Sequence, residues 1–312
     1  MVLFTGNAFG VDQNNWPTRP IRIIVAFAPG SFTDLAARAV GRELTEQLNQ
    51  QVVIENRLGA GGTLGTQIAA KATPDGHTLL IYDNSFAIWK NLYTSLSFDP
   101  EKDFSQVSLV AESPSMLVIR NSLPIKNLQE LVDLAISSPN RFTYGTAGQG
   151  STAHLASELF SGVAGIKLTH VPFKGVSLAI ADTMAGRIDI SIAGLASGLS
   201  QVKAQRLHGL AVSGKKRSDL LPEIPTFSEA GFPKYQMMHI WGLAIPANAP
   251  KKVIEKLNVE LAVTLNKARL QELFVSQGAM ATPSSSIELS KRINKEIVMW
   301  EAVIKQNQLK VD

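Results

Sequence analysis

The residues whose types and spacing could do chemistry fall in two short turns. The stretch APGSFTD (28–34) joins the apolar run 21–27 to a helix-like run from Leu35, and Ser31 and Asp34 stand at the S-x-x-D spacing of a capping box. Small, hydroxyl-bearing residues at a helix N-terminus leave backbone N–H groups facing outward, which suits an anion. The stretch AGQGST (147–152) is built the same way, and Gly148 to Ala153 match the pattern G-x-G-x-x-G/A. A dinucleotide site also needs an acid about 20 residues further on, at the end of the next strand. Residues 167–174, KLTHVPFK, contain none. What survives is the close backbone approach and the free N–H groups. Two such termini facing across a cleft could hold a carboxylate without an arginine, each contributing about 0.3–1 kcal/mol. The plainer alternative is two ordinary capped turns.

Other motifs fail where chemistry demands a match. Residues 209–216 come within one position of a phosphate loop, but Lys216 replaces the hydroxyl that ligates magnesium. The five histidines (77, 154, 170, 208 and 239) show no metal-ligand spacing. His154 and Glu158 stand at i, i+4, a pairing more often structural than catalytic. No G-x-S-x-G elbow occurs. The expectation is therefore no catalytic residue, no metal and no cofactor.

The elements that must position these turns alternate along the chain. A near-continuous β-branched run at 21–27 reads as a strand buried on both faces, and 52–54 and 78–82 read as further strands, with helical stripes between them. Such alternation implies βαβ units and a mostly parallel sheet. Two runs at 107–110 and 116–119, joined by Glu112-Ser-Pro-Ser115, have no helix between them and suggest a chain crossing between lobes. A second α/β series follows, and 241–245 is the second crossing. Pro250 sits at a first helical position, and Ser285 with Glu288 opens the last helix with a capping box. This places residues 16–112 and 242–312 in lobe one and 113–241 in lobe two. The cleft between them is the default ligand site.

Composition narrows the class. At 312 residues with 45% hydrophobic and 18% charged content, the chain supplies a core for about two lobes. The net charge of +4 is spread out, and its densest cluster, 215–217, has no interleaved aromatics, so no nucleic-acid partner is expected. The absence of cysteine excludes disulfides and thiol nucleophiles. No apolar run reaches the roughly 20 residues of a membrane span. Residues 1–15 lack the basic start of a signal peptide and are taken as lying outside the fold.

Seven collinear stretches then carry a resemblance: WPTRPIRIIVAFAPGSFTDLAAR (16–38), VVIENRLGAGGTLG (52–65), PDGHTLLI (74–81), YGTAGQGSTAHLASELF (144–160), HVPFKG (170–175), GLAVSGKKRS (209–218) and LPEIPTFSEAGFP (221–233). They resemble the Bug family, the TctC-type extracytoplasmic solute receptors of tripartite tricarboxylate transporters. The resemblance implies a type II periplasmic-binding-protein fold, α/β with two lobes, a hinge and an interlobe cleft. It implies a monomeric periplasmic receptor that captures a small organic acid for membrane permease subunits. Alternatives are a receptor for an uncharged amide, a receptor serving a sensor kinase, and an α/β enzyme using the same cleft. The carried-over ligand residues are Ser31, Phe32, Thr33 and Asp34 in lobe one, and Ala147, Gln149, Gly150, Ser151 and Thr152 in lobe two. Asn84 and Ser85 fit a further contact loop, joined by Lys174 and Gly194.

Three positions depart from the family pattern. Ser31 and Phe32 follow Gly30 where the family reads P-G-G-x-T-D. The loop after the third strand, 82–85, adds bulk and the acid Asp83. Ala193-Gly194 stands where members often carry Asp-Asn, which weakens the case for an amino-acid ligand. Phe32 has two readings. As a hydrophobic staple its ring packs under the helix. As a cleft residue it narrows the pocket and is cheap to remove, and with Asp83 it could exclude a second carboxylate.

Overall fold

Six parallel strands each lead into a helix in this chain, and that arrangement dictates where a ligand can sit. The computed structural model describes residues 15–307, 309 and 310, so the reading of the first 14 residues lies outside the described residues. In chain order the elements are β1 (Ile21–Val25), α1 (Phe32–Leu48), β2 (Val52–Asn56), α2 (Thr63–Ala70), β3 (Thr78–Asp83), α3 (Ser85–Leu92) and β4 (Phe104–Arg120). They continue with α4 (Leu128–Ser137), β5 (Thr143–Thr146), α5 (Thr152–Ala164), β6 (Thr169–Pro172), α6 (Val176–Met184), β7 (Ile190–Gly194), α7 (Leu195–Lys203) and β8 (Leu207–Val212). The last are β9 (Met238–Pro246), α8 (Lys251–Leu265), α9 (Ala268–Ser276), β10 (Met280–Ala281) and α10 (Ser286–Gln306).

Two sheet halves share one long strand. In the first, β2, β1 and β3 run parallel, and β9 and β4 follow antiparallel. In the second, β6, β5 and β7 run parallel, and β4 pairs antiparallel with both β7 and β8. The exchange is abrupt: Pro114 pairs with Met238 of β9, and Ser115 with Gly194 of β7. This corrects the reading of 112–115 as a link. It is the middle of one 17-residue strand, and the β-branched and apolar runs on either side continue one ladder. Buried hydroxyls secure the exchange point. The Ser115 N–H donates to Ser213 Oγ at 2.7 Å, and Ser115 Oγ meets the Tyr235 hydroxyl at 3.0 Å.

Apolar stripes bury each helix as their spacing predicts. Val40, Leu44 and Leu48 of α1 pack with Leu257, Leu261 and Leu265 of α8 in one core. Leu289, Ile293, Ile297 and Trp300 of α10 belong to the core that also holds Phe86, Leu155 and Phe160. So α10 packs against α3, β4 and α5, spanning both halves rather than returning to the first alone. Pro250 is the N-cap of α8, one position before the expected one.

The cap of α10 is reciprocal. Ser285 Oγ accepts from the Glu288 N–H, and Glu288 returns a carboxylate oxygen to the Ser285 N–H at 2.8 Å. Ser285→Ala should destabilise the protein by about 1 kcal/mol. For a chain of this size that lowers the melting temperature by about 2 °C in a thermal scan, whereas an unchanged midpoint would show that the first turn frays without cost.

Candidate functional site

A cavity of about 260 Å³ opens between the two halves, at the carboxyl ends of β1, β3, β5, β6 and β7. That is where open α/β sheets place ligands. Four helices begin on its wall: α1 at Ser31–Thr33, α5 at Ser151–Ala153, α6 at Gly175–Leu178 and α7 at Gly194. Asp83, just before α3, completes the rim of strand ends. Each terminus carries about half a positive charge, and no arginine lines the cavity.

Local sequence explains how the turns are held. Gly30 has φ +81°, a left-handed conformation that favours glycine, and its N–H donates to Asp34 Oδ2 at 3.0 Å. Ser31 Oγ accepts from the Asp34 N–H at 3.3 Å. The expected capping box is therefore only half formed, because Asp34 reaches back to Gly30 rather than to Ser31. Asp34 also accepts from Asn56 at 2.9 Å and pairs with Arg38 at 2.9 Å. Burial would raise its carboxyl, but hydrogen bonds from Arg38, Gly30 and Asn56 outweigh it and hold the group below the ordinary value. Asp34 thus builds the turn and does not line the cavity.

The second turn follows the same plan. Ser151 Oγ donates to the Gly148 carbonyl at 2.7 Å and accepts from the His154 N–H at 3.3 Å. Ser151 Oγ is thus occupied in both roles, whereas Ser31 Oγ only accepts and keeps its hydroxyl proton for a ligand. Among the described residues, no protein acceptor takes the N–H of Phe32 or Thr33 in α1, or of Val176 or Ser177 in α6.

The structure brings Ser31, Phe32, Thr33, Ala147, Ser151, Thr152, Lys174 and Gly194 to the cavity wall. It does not bring Asp34, Asn84, Ser85, Gln149 or Gly150 there. The reading of Asn84-Ser85 as a contact loop is corrected. Both are buried at the start of α3, where Asn84 Oδ1 accepts from the Ile240 N–H and its Nδ2 reaches Glu296 at 3.1 Å. Ser85 instead ties the halves together, its Oγ accepting from the Thr152 N–H at 3.2 Å. Gln149 donates to the Lys310 carbonyl at 3.3 Å, outside the cavity. Lys174 is exposed at the mouth.

His154 and Glu158 do not pair. Glu158 accepts from the Tyr144 hydroxyl, and His154 stacks on His170 with ring centroids 4.3 Å apart. His154 Nδ1 accepts from the Gly150 N–H at 3.2 Å, so this stack supports the second turn from beneath. Burial, with the His170 ring beside it, lowers His154 to about 3, and burial lowers His170 to about 4.

Phe32 satisfies both of its readings at once. Its ring lines the cavity yet is only 8% exposed, packed on Trp241 at 4.3 Å and edge-on to Phe274 at 5.3 Å. The expectation that a cleft-facing Phe32 is cheap to remove is thereby corrected. Trp241 Nε1 donates to Thr33 Oγ1 at 3.0 Å, locking the same corner. Sequence reasoning missed Trp241 and His239 as cavity residues. Both lie on β9, a strand with no motif of its own, and only its pairing, Trp241 with Asp83 of β3 and His239 with Ser113 of β4, carries them there. Among the described residues no group of acids and histidines is placed to hold a metal ion, and no helix is long and apolar enough to cross a membrane.

A two-lobed α/β fold with its ligand cavity between the lobes defines a solute-binding protein of the periplasmic type. The chain belongs to the tripartite tricarboxylate transporter family receptors (TctC), which it matches over residues 36–309. It is 32% identical over 308 residues to protein BugT of Bordetella pertussis, covering 98% of this chain and 94% of that one. Among solved structures it resembles Rpa4515 of R. palustris with adipate (TM-score 0.90, 31% identity, 95% of this chain and 99% of that one). It also resembles MatC from Rhodopseudomonas palustris with bound malate (TM-score 0.88, 29% identity, 93% of this chain and 100% of that one).

Proposed function

We propose that this protein is a periplasmic receptor that captures a small organic acid between its lobes and delivers it to membrane permease subunits of a tripartite transporter. The observation that carries this reading is the convergence of four helix N-termini on one cavity, where among the described residues the first N–H groups of α1 and α6 have no protein acceptor. A carboxylate is the group that such outward N–H donors hold best. The acids named with the two related structures, adipate and malate, support the same class. Lobe one takes in residues 16–112 and 242–312 and lobe two residues 113–241, with the hinge near the strand exchange at Pro114–Ser115. Ligand bridging the lobes shifts the open–closed equilibrium by its differential affinity for the closed form.

Native mass spectrometry with mixtures of mono-, di- and tricarboxylates and their amides tests the class. Retention of an intact acid supports a receptor, and turnover of any component would point to an enzyme instead. The anchor is tested by two substitutions. Gly150 has φ +76°, and a Cβ there would lie 2.8 Å from Leu92 Cδ2 and 3.2 Å from the Tyr93 ring. Gly150→Val should therefore displace the turn that carries the N-terminus of α5 and weaken acid binding by about ten-fold to a hundred-fold. Lys174→Ala, removing an exposed charge at the mouth, should cost about five-fold or less. Calorimetric titration giving the reverse order would make a side-chain salt bridge the anchor and overturn the helix-terminus mechanism.

A further inference from the structure

We propose that Asp83 and His239, on the β3–β9 side of the cavity, select an acid whose other end is a hydrogen-bond donor and reject a second carboxylate. The inference rests on the reading of the cleft as an organic-acid receptor and names the class of acid. Both residues line the cavity from the β3–β9 pair. Asp83 ends β3 and lies in register with Trp241. His239 is two residues earlier on β9 and stacks on the Trp241 ring at 6.3 Å and 25°.

Asp83 Oδ1 takes the Ser85 N–H at 2.9 Å, and the Ser85 and Thr152 side chains also lie within its reach. Burial raises its carboxyl above the ordinary value against those hydrogen bonds; ionised, it only accepts, and a second anion beside it would push it further toward the neutral form. Among the described residues no ion pair involves Asp83, so no protein cation neutralises it. A ligand carboxylate brought against it meets a like charge in a confined, poorly hydrated space, where neither group is readily ionised beside the other.

His239 completes the complementarity. It is 5% exposed, and its Nε2 is buried with no protein partner. The site of a Cβ on Gly194 lies 3.2 Å from the His239 ring, so a side chain at 194 would press on the imidazole. Burial lowers His239 to about 3, so the ring is neutral and provides one donor and one acceptor. An acceptor-only carboxylate beside a neutral imidazole matches a primary amide or a hydroxyl, and accepts an ammonium at Asp83. It does not match a second anion.

The test is calorimetric titration of four ligands that differ only at the far end: succinate, succinamate, 4-hydroxybutanoate and 4-aminobutanoate, with homologues one carbon shorter and longer. Wild type should bind the best donor-ended acid at least about ten-fold more tightly than the dicarboxylate of matched length. Asp83→Asn keeps an oxygen for the Ser85 N–H and should strengthen dicarboxylate binding by about ten-fold, closing the gap. His239→Phe should weaken the preferred acid by about five-fold without admitting the dicarboxylate. A dicarboxylate that binds wild type as tightly as its half-amide overturns the proposal. So does a gap that survives Asp83→Asn in a variant that melts like wild type. If diamides bind and no acid of the series does, the organic-acid reading itself fails and this inference with it. Binding by acids with no far-end preference would leave that reading standing and remove only the inference.

Discussion

Between pH 7 and pH 4.5 the folded protein should lose several kcal/mol of stability, because its buried histidines resist protonation. His154, His170 and His239 are held neutral by burial, at about 3, about 4 and about 3, against an ordinary value of 6.5. The unfolded chain takes up a proton at each near pH 6.5, while the folded chain refuses it until close to its lowered value. The stability each residue contributes is therefore complete above pH 6.5 and drains as pH falls below it, by about 1.4 kcal/mol per pH unit per residue. His154 and His239 together approach about 3 kcal/mol per unit, and the partly exposed His170, screened by solvent, adds less. His77, lowered by burial although Asp75 opposes it, adds to the same trend. Asp34 has its carboxyl held low and adds a loss only at more acid pH, below about 3.8. Urea denaturation at pH 7, 6, 5 and 4.5 measures the slope, and His239→Phe should reduce it by about one proton. A midpoint that stays level from pH 7 to 4.5 would mean that these histidines are hydrated or paired in solution.

Replacing Phe32 by glycine should both destabilise the protein and widen what it binds. The ring packs on Trp241 and Phe274, so truncation should cost about 3–5 kcal/mol, as for other buried Phe residues. Glycine next to the Ser31 cap adds backbone entropy to the loss. The same ring forms part of the cavity wall, so its removal should admit bulkier acids that wild type excludes. A thermal-shift screen against acids of increasing width reads both effects. A lowered midpoint with an unchanged ligand profile would reduce Phe32 to a packing residue. A widened profile at an unchanged midpoint would show that Trp241 and Phe274 close over the gap.

Much of the fold was legible in the sequence because local physics decided it. The alternation of β-branched runs with helical stripes predicted the βαβ series, and Ser151 and Ser285 marked the helix starts at which they are found. The glycines of the two turns marked where the chain turns left-handed and approaches its neighbours. Those signals reside within a few residues of one another. The strand at 104–120 was harder, since Ser113-Pro-Ser115 reads as a break when its partners are unknown. Its ladder is supplied by β9, β7 and β8, more than 70 residues away.

By itself the sequence determined the class of fold, the two capped turns and the absence of a catalytic or metal motif. Only the tertiary structure decided which polar residues face the cavity. Asp34 in the first turn of α1 and Asp83 at the end of β3 both follow a strand, yet one is absorbed by Arg38, Asn56 and Gly30 while the other lines the cavity. Asn84 and Ser85 looked like contact residues and are spent on Glu296, Ile240 and Thr152. His239 carried no signal and arrives by the register of β9 against β4, opposite Ser113. The physical reason is the same in each case. A polar side chain serves whichever partner lies within hydrogen-bond reach once the chain is folded, and for these residues most of the deciding partners are distant in sequence.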